Sequence, residues 1–130
     1  MEINFPGGKK VDANYKGFTI KTDQPKREGG DGSAPEPFSF FLSSIGTCTG
    51  LYVLIFCQQR NISTNDIKMI LRTVKNEETK MIDKIFIEIQ APKTFPDNYK
   101  KAVIKAASLC SVKKHLDKPP KIEISITKKN

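Results

Sequence analysis

"FFLSSIGTCTGLYVLIFC", residues 40 to 57, runs for eighteen residues without a charge and carries two of the chain's three cysteines. Pro37 is the last proline before it and Arg60 the first charge after it. With no breaker in between, the stretch predicts one long helix from about Glu36 to Arg60, apolar on nearly every side. A membrane span needs about twenty predominantly apolar residues, and the window Phe38–Cys57 is long enough. That window also holds three Ser, two Thr and two Gly, and short strand-like segments flank it. A buried helix in a soluble protein is therefore expected, with no membrane partner. A helix apolar all round must be covered on several sides, and one small sheet cannot do that. A second copy of the chain is the expected cover. Gly46 and Gly50, four residues apart, would let another helix approach closely.

Working outward, the 130 residues amount to a single domain, 1–130. Upstream, "MEINF", "KKVDANY" and "FTIKTD" read as three short strands separated by "PGG" and "KG" turns. Residues 24–35, "QPKREGGDGSAP", read as a loop, with Ser33 as a candidate N-cap for the long helix. Downstream, "DIKMILRTV" and "MIDKIFIEIQ" read as strands, the second with Ile85, Ile87 and Ile89 in alternation. "YKKAVIKAASLCSVKKHL" then predicts a second helix, with Val103, Ala106, Ala107 and Cys110 on one stripe. "KIEISITK" closes the chain as a strand with Ile122, Ile124 and Ile126 alternating. The order βββ-α-ββ-α-β is an α+β layout with mainly antiparallel pairing, because the strand connections are too short for crossovers.

Hydrophobic residues make up 38% of the chain and charged residues 28%, the balance of a globular domain rather than a disordered one. The net charge of +8 raises nucleic acid as a partner. The lysines are spread along the chain among acids, and their densest cluster, "KKHLDKPPKIEISITKK", has no interleaved aromatics for base stacking. A solvated surface is the reading adopted, with no nucleic-acid partner. The amino terminus has no basic segment leading into an apolar run, so a secretory signal is not expected. Three cysteines do not make a disulfide framework, and a cytoplasmic setting is expected.

The cysteines separate by geometry. Cys57 lies nine residues after Cys48. At about 100° per residue the two side chains point to opposite faces of the helix. Cys57, in "VLIFC", reads as core filler. Cys48 shares its face with Phe41, Ser44, Ile45, Tyr52 and Ile55, which suits either an inert wall or a reactive thiol. Cys110 has the same two readings. His115, the single histidine, lies well round its helix from Cys110, and no Cys-x2-Cys pair exists. No metal site and no cofactor are expected.

"APEPFSFFLSSIGTCTGLYV", followed some sixty residues later by "AASLCSVKKHL" and a final strand, resembles the OsmC/Ohr superfamily, the osmotically induced and organic hydroperoxide resistance proteins. The resemblance runs from "GGKK" to the last strand and is nearest the OsmC-like branch. It implies an intertwined homodimer around long buried central helices. It also implies a thiol-dependent peroxidase that reduces organic hydroperoxides and is recycled by an external dithiol. By matching motifs, Cys48 would be the attacking thiol and Cys110 the resolving one, with Phe38, Phe41 and Tyr52 lining the pocket. The family's hydroperoxide reductases carry a Glu ten residues before the first cysteine, where this chain has Phe38. They also carry an Arg in the amino-terminal β region, where Lys9 of "GGKK" is the candidate thiolate-stabilising substitute. The rival reading is a non-catalytic dimer that binds an apolar small molecule, with the cysteines structural.

Overall fold

Three short antiparallel strands open the chain in the computed structural model, which describes residues 1–128. They are β1 (Glu2–Gly7), β2 (Lys10–Tyr15) and β3 (Phe18–Ile20), paired in the order β1-β2-β3. Ala13 of β2 lies opposite Ile3 on one side and Ile20 on the other. The β2–β3 turn puts Lys16 and Gly17 at φ 50° and 83°, the left-handed region that the "KG" signal anticipates. The long helix follows as α1 (Pro37–Gln58), then β4 (Lys68–Lys75) and β5 (Ile82–Gln90), an antiparallel pair with Leu71 opposite Ile87. A short 3-10 turn at Asp97–Tyr99 leads into α2 (Lys100–Ala107), and α3 (Ser111–Asp117) comes last. The architecture is α+β, as expected.

The chain divides into two compact units, residues 1–44 and the remainder from Ile45 onward. In the first, Asp23 is almost wholly buried and organises the loop that follows β3. Its carboxylate accepts hydrogen bonds from the amides of Gln24 (2.8 Å), Asp31 (3.2 Å) and Ser33 (3.0 Å) and from the Ser33 hydroxyl (2.7 Å). The two Ser33 bonds foremost hold its pKa down at about 2. Ser33 is thus committed to Asp23 and is not the N-cap of α1. The helix begins at Pro37, whose missing N–H costs nothing in the first turn. Gly30 has no alternative in this loop, since a Cβ there would lie 1.9 Å from the Gln24 carbonyl oxygen.

The second unit is built on one stripe of α1. Ile45, Thr49, Val53, Phe56 and Cys57 are buried, spaced by three or four residues. Val53, Phe56 and Cys57 pack with Phe95, Val103 and Ala107 in the core. The Arg60 guanidinium covers its end, 3.8 Å from the Phe56 ring centroid. Gly46 and Gly50 face β4. A Cβ on them would meet Leu71 Cδ1 at 3.7 Å and Met69 Sδ at 3.6 Å, ordinary contact distances, so this side of α1 is taken by the chain's own sheet and not by a second helix.

Within one chain the central helix is buried along one stripe, while Leu51, Leu54 and Ile55 are exposed, because a two-stranded sheet and one short helix cover a single face. Two expectations need correction. The expected second helix is two helices, broken at Ser108–Cys110. The expected final strand is absent: Ile122, Ile124 and Ile126 are 82–95% exposed, and among the described residues no strand pairs with them. Alternation marks a face to be buried, but a strand exists only where a neighbour takes up its backbone N–H and C=O groups.

Candidate thiol site

The break between α2 and α3 is what delivers Cys110. At the end of α2 the Ser108 amide and hydroxyl both donate to the Ile104 carbonyl, at 3.1 and 2.9 Å. That side-chain bond satisfies an end-of-helix acceptor and competes with continuation. Cys110 then turns out of the helix with φ −47° and ψ 121° and becomes the N-cap of α3. Its sulfur accepts the Lys113 amide at 3.4 Å, and its carbonyl accepts the Lys114 amide at 3.1 Å. Sulfur is a weak acceptor and cysteine is not among the favoured caps, so no capping signal marks this boundary in the sequence. Cys110 is completely buried.

Cys48, half-buried on α1, meets this turn. The Ser111 Oγ is 3.5 Å from the Cys48 Sγ. Hydrogen bonds to the Cys48 sulfur from the Val112 amide, the Ser111 hydroxyl and the Cys110 side chain lower its pKa from 9.0 to about 7, against burial, which raises it. The two cysteines named from the sequence are therefore brought together, and both thiols are free. Cys57 is the opposite case. It is completely buried, and burial pushes its thiol pKa up, with Arg60 countering.

The span that holds this turn also matches known proteins. The model of the OsmC-like protein family matches residues 30–125, a span that holds α1 with Cys48 and the capping turn with Cys110. The chain belongs to the OsmC-like family. Solved structures similar to this OsmC-like protein agree on the fold. A Psychrobacter arcticus protein, provisionally described as an osmotic stress induced and detoxification response protein, has a TM-score of 0.72 at 20% identity, over 87% of this chain and 84% of that one. An OsmC-like protein from Mycoplasma pneumoniae has 0.62 at 19%, over 83% and 79%. An organic hydroperoxide resistance protein OsmC from Legionella pneumophila has 0.55 at 18%, over 88% and 85%. No curated protein matches the sequence.

The other expected site residues fall elsewhere. Lys9 stands in the Gly8–Lys9 turn between β1 and β2, in the amino-terminal unit. Phe38 and Phe41 belong to that unit too, with ring centroids 5.2 Å apart. Tyr52 is half-buried on α1. The cavity of the carboxy-terminal unit, about 860 Å³, is walled by different residues, among them Ile45 and Thr49 of α1, Ile87 and Ile89 of β5, and Val103 and Ile104 of α2. Alternation in β5 and the Val103 stripe mark those residues as inward-facing in the sequence, but a helix apolar on nearly every side singles out no face of α1, and no pattern shows that a space would be left. His115 is exposed, and its Nδ1 donates to the Ser111 carbonyl at 2.7 Å, a contact within α3. The contact between Ser111 and Cys48 was beyond sequence reasoning. Its one trace there is a hydroxyl directly after the second cysteine, in "CSV".

Proposed function

We propose that this protein is a cytoplasmic thiol peroxidase that reduces organic hydroperoxides through Cys48 and Cys110. The observation that carries this reading is the meeting of the two sulfurs, with Cys48 lowered to about 7 while Cys57 on the same helix is raised. At neutral pH about half of Cys48 is then thiolate, the nucleophilic form. The thiolate attacks the outer oxygen of the peroxide. An S–O bond forms, the O–O bond breaks, and the leaving alkoxide takes a proton to become an alcohol. The Cys110 thiol displaces hydroxide from the sulfenic acid, giving water and a disulfide. An external dithiol reduces that bond by exchange and is itself oxidised. Lys9 enters as the electrostatic helper that the family resemblance suggests, and Phe38, Phe41 and Tyr52 as the substrate wall.

The same reading includes a homodimer. Phe38, Phe40, Phe41, Leu51, Leu54 and Ile55 of α1 are all more than a third exposed, as are the alternating isoleucines 122, 124 and 126. A second copy of the chain would cover them. Light scattering in dilute solution should then give twice the chain mass of 14.6 kDa.

Intact mass decides the chemistry. One equivalent of an organic hydroperoxide should remove two hydrogens and place a disulfide between the peptides of Cys48 and Cys110. The 860 Å³ apolar cavity favours the second reading, a module that binds an apolar small molecule with inert cysteines. Unchanged mass after peroxide, with both thiols still titratable, would select that one.

A further inference from the structure

We propose that the Ser111 hydroxyl is a catalytic group of this site, donating a hydrogen bond to the ionised Cys48 sulfur and holding it ready for attack. The inference rests on the reading of Cys48 as the attacking thiol and names the group that prepares it.

The geometry is direct, with 3.5 Å between Ser111 Oγ and Cys48 Sγ. Ser111 is the first residue of α3, so its backbone is fixed by the start of that helix. The Cys110 side chain caps the first turn of α3 through the Lys113 amide, and the Ser111 carbonyl accepts His115 Nδ1 at 2.7 Å. A hydroxyl suits this position because it is both donor and acceptor. It can accept from the Cys48 S–H and, once the proton has gone, rotate to donate to the thiolate. A neutral donor introduces no second charge to be desolvated in a half-buried place. Ser111 keeps its own proton throughout. Its part is to keep the electron pair on sulfur available, and the S–O bond then forms as the O–O bond breaks.

Four other titratable groups belong to this turn. Cys110 is a direct partner of the Cys48 sulfur, Lys113 is paired with Asp117 at 2.8 Å, Lys114 follows Lys113, and His115 is engaged with the Ser111 carbonyl. Tyr52 lies one turn further along α1, on the Cys48 side of the helix. The test must therefore separate Ser111 from each of them.

The measurement is the rate of alkylation of Cys48 by iodoacetamide against pH, read from the Cys48 peptide by mass spectrometry, in the intact protein and in Ser111→Ala, Ser111→Thr and His115→Gln variants. In the unmodified protein the inflection should lie near pH 7. Ser111→Ala should raise it by about one pH unit, the effect of one hydrogen bond to a charged group. At pH 6 alkylation should slow roughly threefold, because the less acidic thiol is more nucleophilic per thiolate. Ser111→Thr, which keeps the hydroxyl, should restore the inflection, and His115→Gln should leave it near pH 7. A shared inflection for Ser111→Ala and the unmodified protein would overturn the proposal, as would failure of Ser111→Thr to restore it. Alkylation needs no peroxide. If the inflection moves as described but hydroperoxide leaves the protein mass unchanged, the peroxidase reading and the catalytic role of Ser111 fail together, and only its hydrogen bond to the Cys48 thiolate stands.

Discussion

Cys48 and Cys57 occupy the same helix, nine residues apart, and their surroundings shift the two thiol pKa values in opposite directions. Cys57 belongs to the closed core with Val53, Phe56 and Phe95, where the surroundings cannot stabilise a charge and the thiol is pushed up. Cys48 sits at the edge of the buried stripe against a turn of chain that offers an amide, a hydroxyl and a second thiol. The contrast teaches that burial by itself disarms a cysteine. What favours a thiolate is hydrogen-bond donors aimed at the sulfur, even with no cation among the named partners.

The largest break in the comparison would come from exchanging oxygen for sulfur at each position. Cys48→Ser should reduce hydroperoxide turnover with a dithiol to background, while Cys57→Ser should leave turnover near that of the unmodified protein. Equal loss in both would erase the distinction drawn between the two thiols. Cys110→Ser should sharpen it. With one equivalent of peroxide the protein should gain a single oxygen at Cys48 and form no disulfide, and a dimedone adduct confined to the Cys48 peptide would confirm the sulfenic acid.

Stability should divide the pair the other way. Cys57→Ala removes a completely buried side chain from the core and should cost about 1–3 kcal/mol in urea unfolding. Cys48→Ala should cost less, since its side chain is only half-buried. A larger loss at Cys48 would mean that the site, and not the core, holds this unit together.

The smallest effect is in the pH dependence of unfolding. The folded pKa of Cys48 is depressed, so its contribution is present above the unfolded value near 9 and is lost as pH falls from there through about 7. The folded pKa of Cys57 is raised, so the folded state keeps the proton longer and stability falls as pH climbs above that same unfolded value. Comparing Cys48→Ala and Cys57→Ala with the unmodified protein between pH 6 and pH 10, in the presence of a reductant, should give differences of opposite slope. Parallel curves would refute the opposed shifts.

Much of this arrangement is legible in the residues. The uncharged, proline-free run from Phe38 predicted α1 to within two residues at its carboxyl end, where the helix stops at Gln58. Alternation at Ile85, Ile87 and Ile89 predicted β5, and "PGG" and "KG" predicted the turns of the first sheet. The family was likewise legible in "GTCTG" and "CSV". Asp23 was not. Its role depends on three backbone amides of a loop curling onto one carboxylate, and no side-chain pattern reports where amides point.

By itself, then, the order of residues determined the long helix, the five strands of the two sheets and the apolar stripe of the segment that becomes α2, because propensity and periodicity act over a few neighbours. It also set the two cysteines of α1 on opposite faces, since that depends on the turn of the helix alone. Only the tertiary structure decided that α2 ends at Ala107 and that Cys110 caps α3. It alone placed the start of α3 against Cys48 and withheld a ladder from Ile122, Ile124 and Ile126. Hydrogen bonds to a sulfur and pairing along a strand need groups distant in the chain to arrive within about 3.5 Å, and local pattern carries no information about that arrival.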